Sequence, residues 1–426
     1  MKLAGLRWWI VALLFGAAVL NYIDRNSLAL LAPTIQSQLG FDDQAYARIQ
    51  NAFLIAYTVA LLASGFMVDR LGARLSLALF VGLWSLASFL TGWANSVFAL
   101  GLFWLMLGLG EAGNWTAAPK AAQEWFPARE RGLAMGIYTA GTPLGMTLAP
   151  IFVVGLAGMF SWRVVFWTTG LLGLLWVIPW VWLYRPVKTH PLLAEKERSW
   201  ILSDSSGLNS ADTVAVHWTW LQALGRKEVW FLLLGRMISD PVWFFYLIWY
   251  PKYLVSQRGL TQAQLKSTWV MFLAASVGSL VGGWFAGRLI RRGFGPERAR
   301  LFTMLACVAV MPLSLLVTRV PTVGMSLALA SVIVFAHLAW LANISALVVD
   351  VVPAVSLGKV FGLVAAGSSA GAIVMNGLVA GFLKRGSYNQ WFVIAAFLHV
   401  VAWLCLAPLL RRKSATAQFE QQLLKT

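Results

Sequence analysis

Long apolar stretches recur along this chain, separated by short polar segments rich in Arg, Lys, Gly and Pro. A helix needs about 20 mostly apolar residues to cross a bilayer core. Twelve stretches approach or exceed that length: 8–34, 47–68, 75–92, 97–119, 132–157 and 163–184, then 229–251, 267–289, 301–319, 322–349, 357–383 and 390–410. Most interiors are rich in Leu, Ala, Val and Gly, a composition that membrane helices tolerate. One long hydrophilic stretch, 185–228, carries Pro186, His190, Pro191 and a short amphipathic helix over Leu192–Leu202. The pattern predicts an all-α membrane protein of twelve transmembrane helices in two six-helix halves. The N-terminal half is 1–190, the connector 191–228, the C-terminal half 229–410 and the tail 411–426. After Lys2 and Arg7 the run Trp8–Leu20 continues into polar residues without a small-residue cleavage site, so it reads as a first span and not as a signal peptide.

Composition sharpens this picture. Apolar residues make up 59% of the chain and charged ones 12%, which argues against a water-soluble fold. The net charge of +17 raises a nucleic-acid reading, but the basic residues fall in short runs between apolar segments and form no patch. With both termini and the connector in the cytoplasm, 23 of the 33 Lys and Arg fall on the cytoplasmic side and 8 on the opposite side, while Arg25 and Arg236 lie within spans. The reverse orientation inverts that bias, so the termini are expected to be cytoplasmic. Cys307 and Cys405 sit in apolar stretches at no metal or disulfide spacing, and read as small buried hydrophobes. No metal, cofactor or nucleic-acid partner is expected. Nor is an enzyme, since no metal cluster, nucleophile elbow or phosphate loop is present.

The two halves echo each other. Gly65-Phe66-Met67-Val68-Asp69-Arg70-Leu71-Gly72-Ala73-Arg74 joins spans two and three, and Gly283-Trp284-Phe285-Ala286-Gly287-Arg288, followed by Arg291 and Arg292, joins spans eight and nine. Internal repeats of this kind characterise secondary transporters. The first loop resembles the signature of the major facilitator superfamily, Gly-x-x-x-Asp-Arg-x-Gly-x-Arg. Gly72 allows the tight turn, while Asp69, Arg70 and Arg74 are expected to gate one access state through ion pairs.

Ionisable residues at membrane depth cost roughly 2.5–3.5 kcal/mol each on insertion scales, so each needs a reason. Asn21, Asp24 and Arg25 share one polar face of span one. A carboxylate beside a guanidinium suggests a proton-titratable group next to an anion receptor, because the planar fork of Arg can bind both oxygens of a carboxylate. The alternative is a structural pair that neutralises itself. On span four, Trp104, Gly108, Glu111 and Trp115 form a stripe with Asn114 beside it. Glu111 has no basic residue within a helical turn, and a lone carboxyl in low dielectric suits proton coupling. Arg236 and Asp240, at i and i+4 before Pro241, can satisfy each other, and structural and functional roles are equally open to them. His337, Trp340 and Asn343 step along span ten at i+3, and Ser369 and Asn376 share a face of span eleven. As a group they suit one wall of a site for a hydroxyl-rich ligand. His337 alone reads more readily as a packed histidine than as a proton relay.

Several motifs together resemble something narrower. These are Asn21-Tyr22-Ile23-Asp24-Arg25, Gly110-Glu111-Ala112-Gly113-Asn114-Trp115, Glu124-Trp125-Phe126-Pro127-Ala128-Arg129-Glu130-Arg131, Ser161-Trp162-Arg163, Asp240-Pro241-Val242-Trp243-Phe244-Phe245-Tyr246 and Pro251-Lys252-Tyr253-Leu254. They resemble the bacterial branch of the anion:cation symporter family, which carries hexuronates and related sugar acids with protons. The resemblance implies a sugar-acid anion and protons as partners in the lipid bilayer, and a monomer is expected. It implies that Asp24 and Glu111 carry protons and that Arg25 binds the substrate carboxylate. Tyr57 and Thr142 match family positions on spans two and five, and Asn21, Tyr22 and Asn114 complete the expected site. Where the family usually has an Arg, seven residues before the Glu, this chain has Trp104. A drug:proton antiporter is a competing reading, but Gly141-Thr142-Pro143-Leu144-Gly145-Met146 departs from the fifth-span run expected of one. A non-transporting receptor is another, without any appended signalling domain to support it.

Overall fold

A computed structural model describes residues 5–203, 218–352 and 357–411. Residues 204–217 of the expected connector and 412–426 of the expected tail lie outside the described residues. The elements are helical: α1 (Leu6–Leu39), α2 (Asp43–Thr91), α3 (Val97–Glu111), α4 (Asn114–Trp125), α5 (Ala128–Met159), α6 (Trp162–Leu183), α7 (Glu195–Ser203) and α8 (Trp220–Leu224). There follow α9 (Lys227–Ile248), α10 (Tyr250–Ser256), α11 (Trp269–Arg291), α12 (Pro296–Val308), α13 (Val323–Val351), α14 (Leu357–Leu383) and α15 (Asn389–Leu406). Only helices satisfy every backbone group within a single segment, which is what hydrocarbon demands.

Among the described residues, eleven helical stretches are long and apolar enough to cross a membrane. One of them, α2, holds two spans. Gly72 interrupts it with φ 74° and ψ 165°, a left-handed φ that an L side chain disfavours. The glycine of the loop motif therefore makes the break between spans two and three, and the described chain has twelve spans. The fourth span is one membrane-crossing stretch, Val97–Trp125, as expected. It divides into α3 and α4 at Ala112-Gly113, immediately after Glu111. Ala112 and Gly113 both keep right-handed helical φ and ψ, so only the hydrogen-bond ladder is interrupted between Glu111 and Trp115.

Two units can be described separately. The first holds residues 5–203 together with 247–269, and the second holds the remainder of the described chain. In the first unit α1 packs on α5, and α2 packs on α3 and α6. The segment 247–269, which the sequence places in the C-terminal half, is held in this unit by polar contacts. Tyr46 Oη donates to the Ile248 carbonyl over 3.0 Å, Gln262 Nε2 donates to the Leu30 carbonyl over 2.6 Å, and Lys252 ion-pairs with Asp43. The amphipathic helix α7 docks on the start of α1. Glu197 accepts from the backbone N–H groups of Gly5 and Leu6 at 2.9 and 3.1 Å, and from Arg7 Nη1 at 2.9 Å. It supplies the cap that Gly5, without a side chain, cannot. In the second unit α12 packs on α13 and α15, and α14 packs on α13 and α15.

Candidate functional site

Asn21, Asp24 and Arg25 all lie on α1, but the partners of Asp24 and Arg25 differ from the expectation. Arg25 Nε donates to Glu111 Oε2 over 2.8 Å, and Arg25 Nη2 lies 2.7 Å from the same oxygen. Glu111 therefore does have a basic partner, which arrives from α1 and not from its own helix. Asp24 is the carboxylate without a cationic partner. Its Oδ1 accepts from Ser88 Oγ over 2.8 Å, that hydroxyl lies 3.0 Å from Thr169 Oγ1, and Oδ2 has no hydrogen-bond partner. Successive residues on a helix point in different directions, so adjacency in sequence did not make Asp24 and Arg25 a pair.

The Arg25 guanidinium is enclosed by aromatic faces. Its carbon lies 5.0 Å from the Tyr22 ring centroid, 5.3 Å from that of Phe53 and 4.8 Å from that of Tyr57. Cation–π attraction holds the charge in place while the rings shield it from water. Arg25 retains 13% of its side-chain exposure and Glu111 none, so Arg25 is the less buried member of the pair. Both amide atoms of Asn21 and of Asn114, Asp24 Oδ2 and Glu111 Oε1 are buried without hydrogen-bond partners. Each such atom costs about 1–3 kcal/mol unless water or a polar ligand satisfies it. Thr142 is half-buried on α5. Trp104 is buried, its Nε1 donating to Gln50 Oε1 over 3.3 Å and its ring packing against Phe53 and Phe166, so it fills the bundle interior.

In the second unit His337, Trp340, Asn343, Ser369 and Asn376 are all buried. Trp340 Nε1 donates to Ser239 Oγ over 3.0 Å, and Asn343 Nδ2 donates to the Gly282 and Ala339 carbonyls at 3.1 and 2.8 Å. His337 Nδ1 lies 3.0 Å from His399 Nε2. Arg236 and Asp240 pair as their spacing allows, and Asp240 also accepts from Ser239 and Ser368.

The loop residues find other partners than one another. Asp69 ion-pairs with Lys120 at 3.1 Å, Arg74 donates to the Val181 carbonyl over 2.6 Å, and Arg70 lies over the Phe66 ring. Phe53, Ser88, Thr169, Ser239, Ser368 and His399 join these networks without any sequence signal. A single hydroxyl or ring in an apolar span is commonplace and carries no periodicity of its own.

The family model described as Major Facilitator Superfamily matches residues 14–341. The chain belongs to that superfamily. It is a multi-pass membrane transporter and not an enzyme. This facilitator is 34% identical over 284 residues to a galacturonate transporter of Dickeya chrysanthemi, covering 66% of this chain and 82% of the relative. It is 32% identical over 295 residues to a hexuronate transporter of Escherichia coli K12, covering 69% of this chain and 68% of the relative. Its fold is similar to a crystal structure of a bacterial homolog of the human lysosomal transporter Spinster, in inward-facing and occupied conformation. There the TM-score is 0.76 at 17% identity, over 95% of this chain and 97% of that one.

Proposed function

We propose that this facilitator imports a sugar-acid anion together with protons by alternating access. The substrate is a hexuronate such as galacturonate or glucuronate, or a related aldonate, and the termini face the cytoplasm of a bacterial inner membrane. One observation carries the reading: the Arg25 guanidinium, ringed by aromatics, is spent on a single oxygen of Glu111. A substrate carboxylate and the Glu111 carboxylate then compete for one cation. Protonating Glu111 releases Arg25 for the substrate, so proton and anion favour the same state, which is what coupling requires. Asp24, linked to Ser88 and Thr169 and without a cation, is the second proton carrier. Asn21 and Asn114 supply amide groups for hydroxyls, and Tyr22, Tyr57 and Thr142 are the further residues assigned to the substrate. The similarity to galacturonate and hexuronate transporters supports the substrate class.

The test is uptake of labelled galacturonate by proteoliposomes with an alkaline lumen, with lumenal pH recorded in parallel. Accumulation above equilibrium with acidification of the lumen is expected. Uptake that ignores the pH gradient would remove the proton, and failure of unlabelled hexuronates or aldonates to compete would remove the substrate class. Arg25→Lys keeps the charge but loses the planar fork, so affinity for galacturonate should fall at least about tenfold.

A further inference from the structure

The second unit contains a buried pair of titratable rings that the proposed transport chemistry does not use. His337 on α13 and His399 on α15 are both wholly buried, and their Nδ1 and Nε2 atoms face each other across 3.0 Å. The outer nitrogens, His337 Nε2 and His399 Nδ1, have no hydrogen-bond partner. With two protons shared among four nitrogens, one N–H bridges the rings. The outer ends are then one bare lone pair and one unmatched N–H. A third proton would sit on the bare nitrogen, and the bridge would spread its charge over both rings.

The surroundings determine when that proton is welcome. The charged groups acting on the pair are Arg236 and Asp240 of α9. Two further neighbours are neutral: Trp243 stacks on His337, and Trp340 meets the edge of His399. Asp240 receives donors from Arg236, Ser239 and Ser368, and Trp340 donates to that same Ser239. A polar chain therefore joins the carboxylate to the indole that touches His399. While Arg236 balances Asp240, the cluster is neutral without a proton on the rings. The balance is lopsided in exposure. Arg236 keeps 14% of its side-chain exposure and Asp240 only 3%, so the cation is the less buried member of the pair. A buried carboxylate left unpaired is strongly disfavoured, and a proton taken up on the carboxylate itself or on the neighbouring rings restores neutrality.

We propose that the His337–His399 pair is a second proton-accepting site, filled from the aqueous phase when Arg236 lets go of Asp240. The unit can then release its arginine to an anion or to water without stranding a buried charge. Each such cycle carries one proton beyond those of Asp24 and Glu111. This extra proton rests on the proposed proton-coupled transport, whereas the protonation itself does not.

The test that stands apart from transport is nitrogen NMR of the full chain in lipid nanodiscs, with histidine labelled at both ring nitrogens. The protein has only four histidines. Wild type near neutral pH should show two bare nitrogens in the pair. Arg236→Gln should show one, and Arg236→Gln with Asp240→Asn should return to two. If the pair in Arg236→Gln keeps two bare nitrogens at every pH where the protein is folded, the proposal is overturned, because the proton then resides on Asp240 or nowhere. In proteoliposomes the proton-to-galacturonate ratio of His399→Gln should be lower than wild type by one, and an unchanged ratio also overturns the proposal. Should wild type move no galacturonate, the transport reading fails while the NMR result still decides the histidine pair. Should His399→Gln fail to fold, the arginine variants decide it.

Discussion

Arg25 commits both of its contacting nitrogens to one oxygen of Glu111, and that asymmetry separates the two carboxylates of the first unit. In Glu111→Gln the guanidinium keeps its aromatic cage and loses its anion. Breaking a buried pair from one side costs about 3–5 kcal/mol, reduced here by the remaining exposure of Arg25. The ligand-free variant should melt earlier than wild type. Galacturonate should restore more of that loss than it adds to wild type, because it supplies the missing carboxylate. Affinity should also lose its dependence on pH. Asp24→Asn removes a charge that no cation balances and leaves the Arg25–Glu111 pair intact. It should bind galacturonate with near wild-type affinity and exchange it across the membrane, yet fail to accumulate it under a pH gradient. Calorimetric titration, counterflow and gradient-driven uptake on the same preparations would check both. Equal loss of binding in the two variants would contradict the separation.

At the level of elements, the site depends on how closely helices approach. A Cβ on Gly170 of α6 would lie 2.5 Å from the Phe89 backbone nitrogen and 2.6 Å from the Ser85 carbonyl oxygen. The same contact seats Thr169 against Ser88, so its loss reaches Asp24. Backbone cannot yield as a flexible side chain can, and overpacking of this kind costs about 1–3 kcal/mol. A Cβ on Gly155 of α5 would meet no neighbouring atom within 4 Å. Gly170→Ala should therefore lower the melting temperature in detergent and weaken proton-driven uptake, whereas Gly155→Ala should be neutral or slightly stabilising. The cap from α7 is a second dependence between elements. Glu197→Ala strips hydrogen bonds from the start of α1, with an expected cost of about 1–3 kcal/mol. Faster amide exchange at residues 5–7 is the signature to look for, and unchanged exchange would mean that water replaces the carboxylate without loss.

At the level of the whole molecule, the proposed orientation follows from the distribution of Lys and Arg alone. It is checked by labelling single cysteines with a membrane-impermeant maleimide after replacing Cys307 and Cys405 with Ser. Arg385→Cys and Arg292→Cys place thiols at exposed positions in loops of opposite expected sides. Arg385→Cys should react in intact spheroplasts and Arg292→Cys only after lysis. The reverse pattern would invert the topology. The apolar lengths alone determined the twelve spans, because hydrocarbon thickness leaves a chain little choice once backbone groups must bond internally. The break at Gly72 and the residues Asn21, Asp24, Arg25 and Glu111 were legible for a related reason, since polar groups and left-handed turns stand out against an apolar helix. Which carboxylate Arg25 holds was not legible, because helix periodicity orders neighbours within one helix and says nothing of the helix packed against it. The same limit hid Ser88 and Thr169 beside Asp24, His399 beside His337, and the attachment of 247–269 to the first unit. Each of these depends on rotation and depth of one helix against another, which only the packed tertiary structure decides.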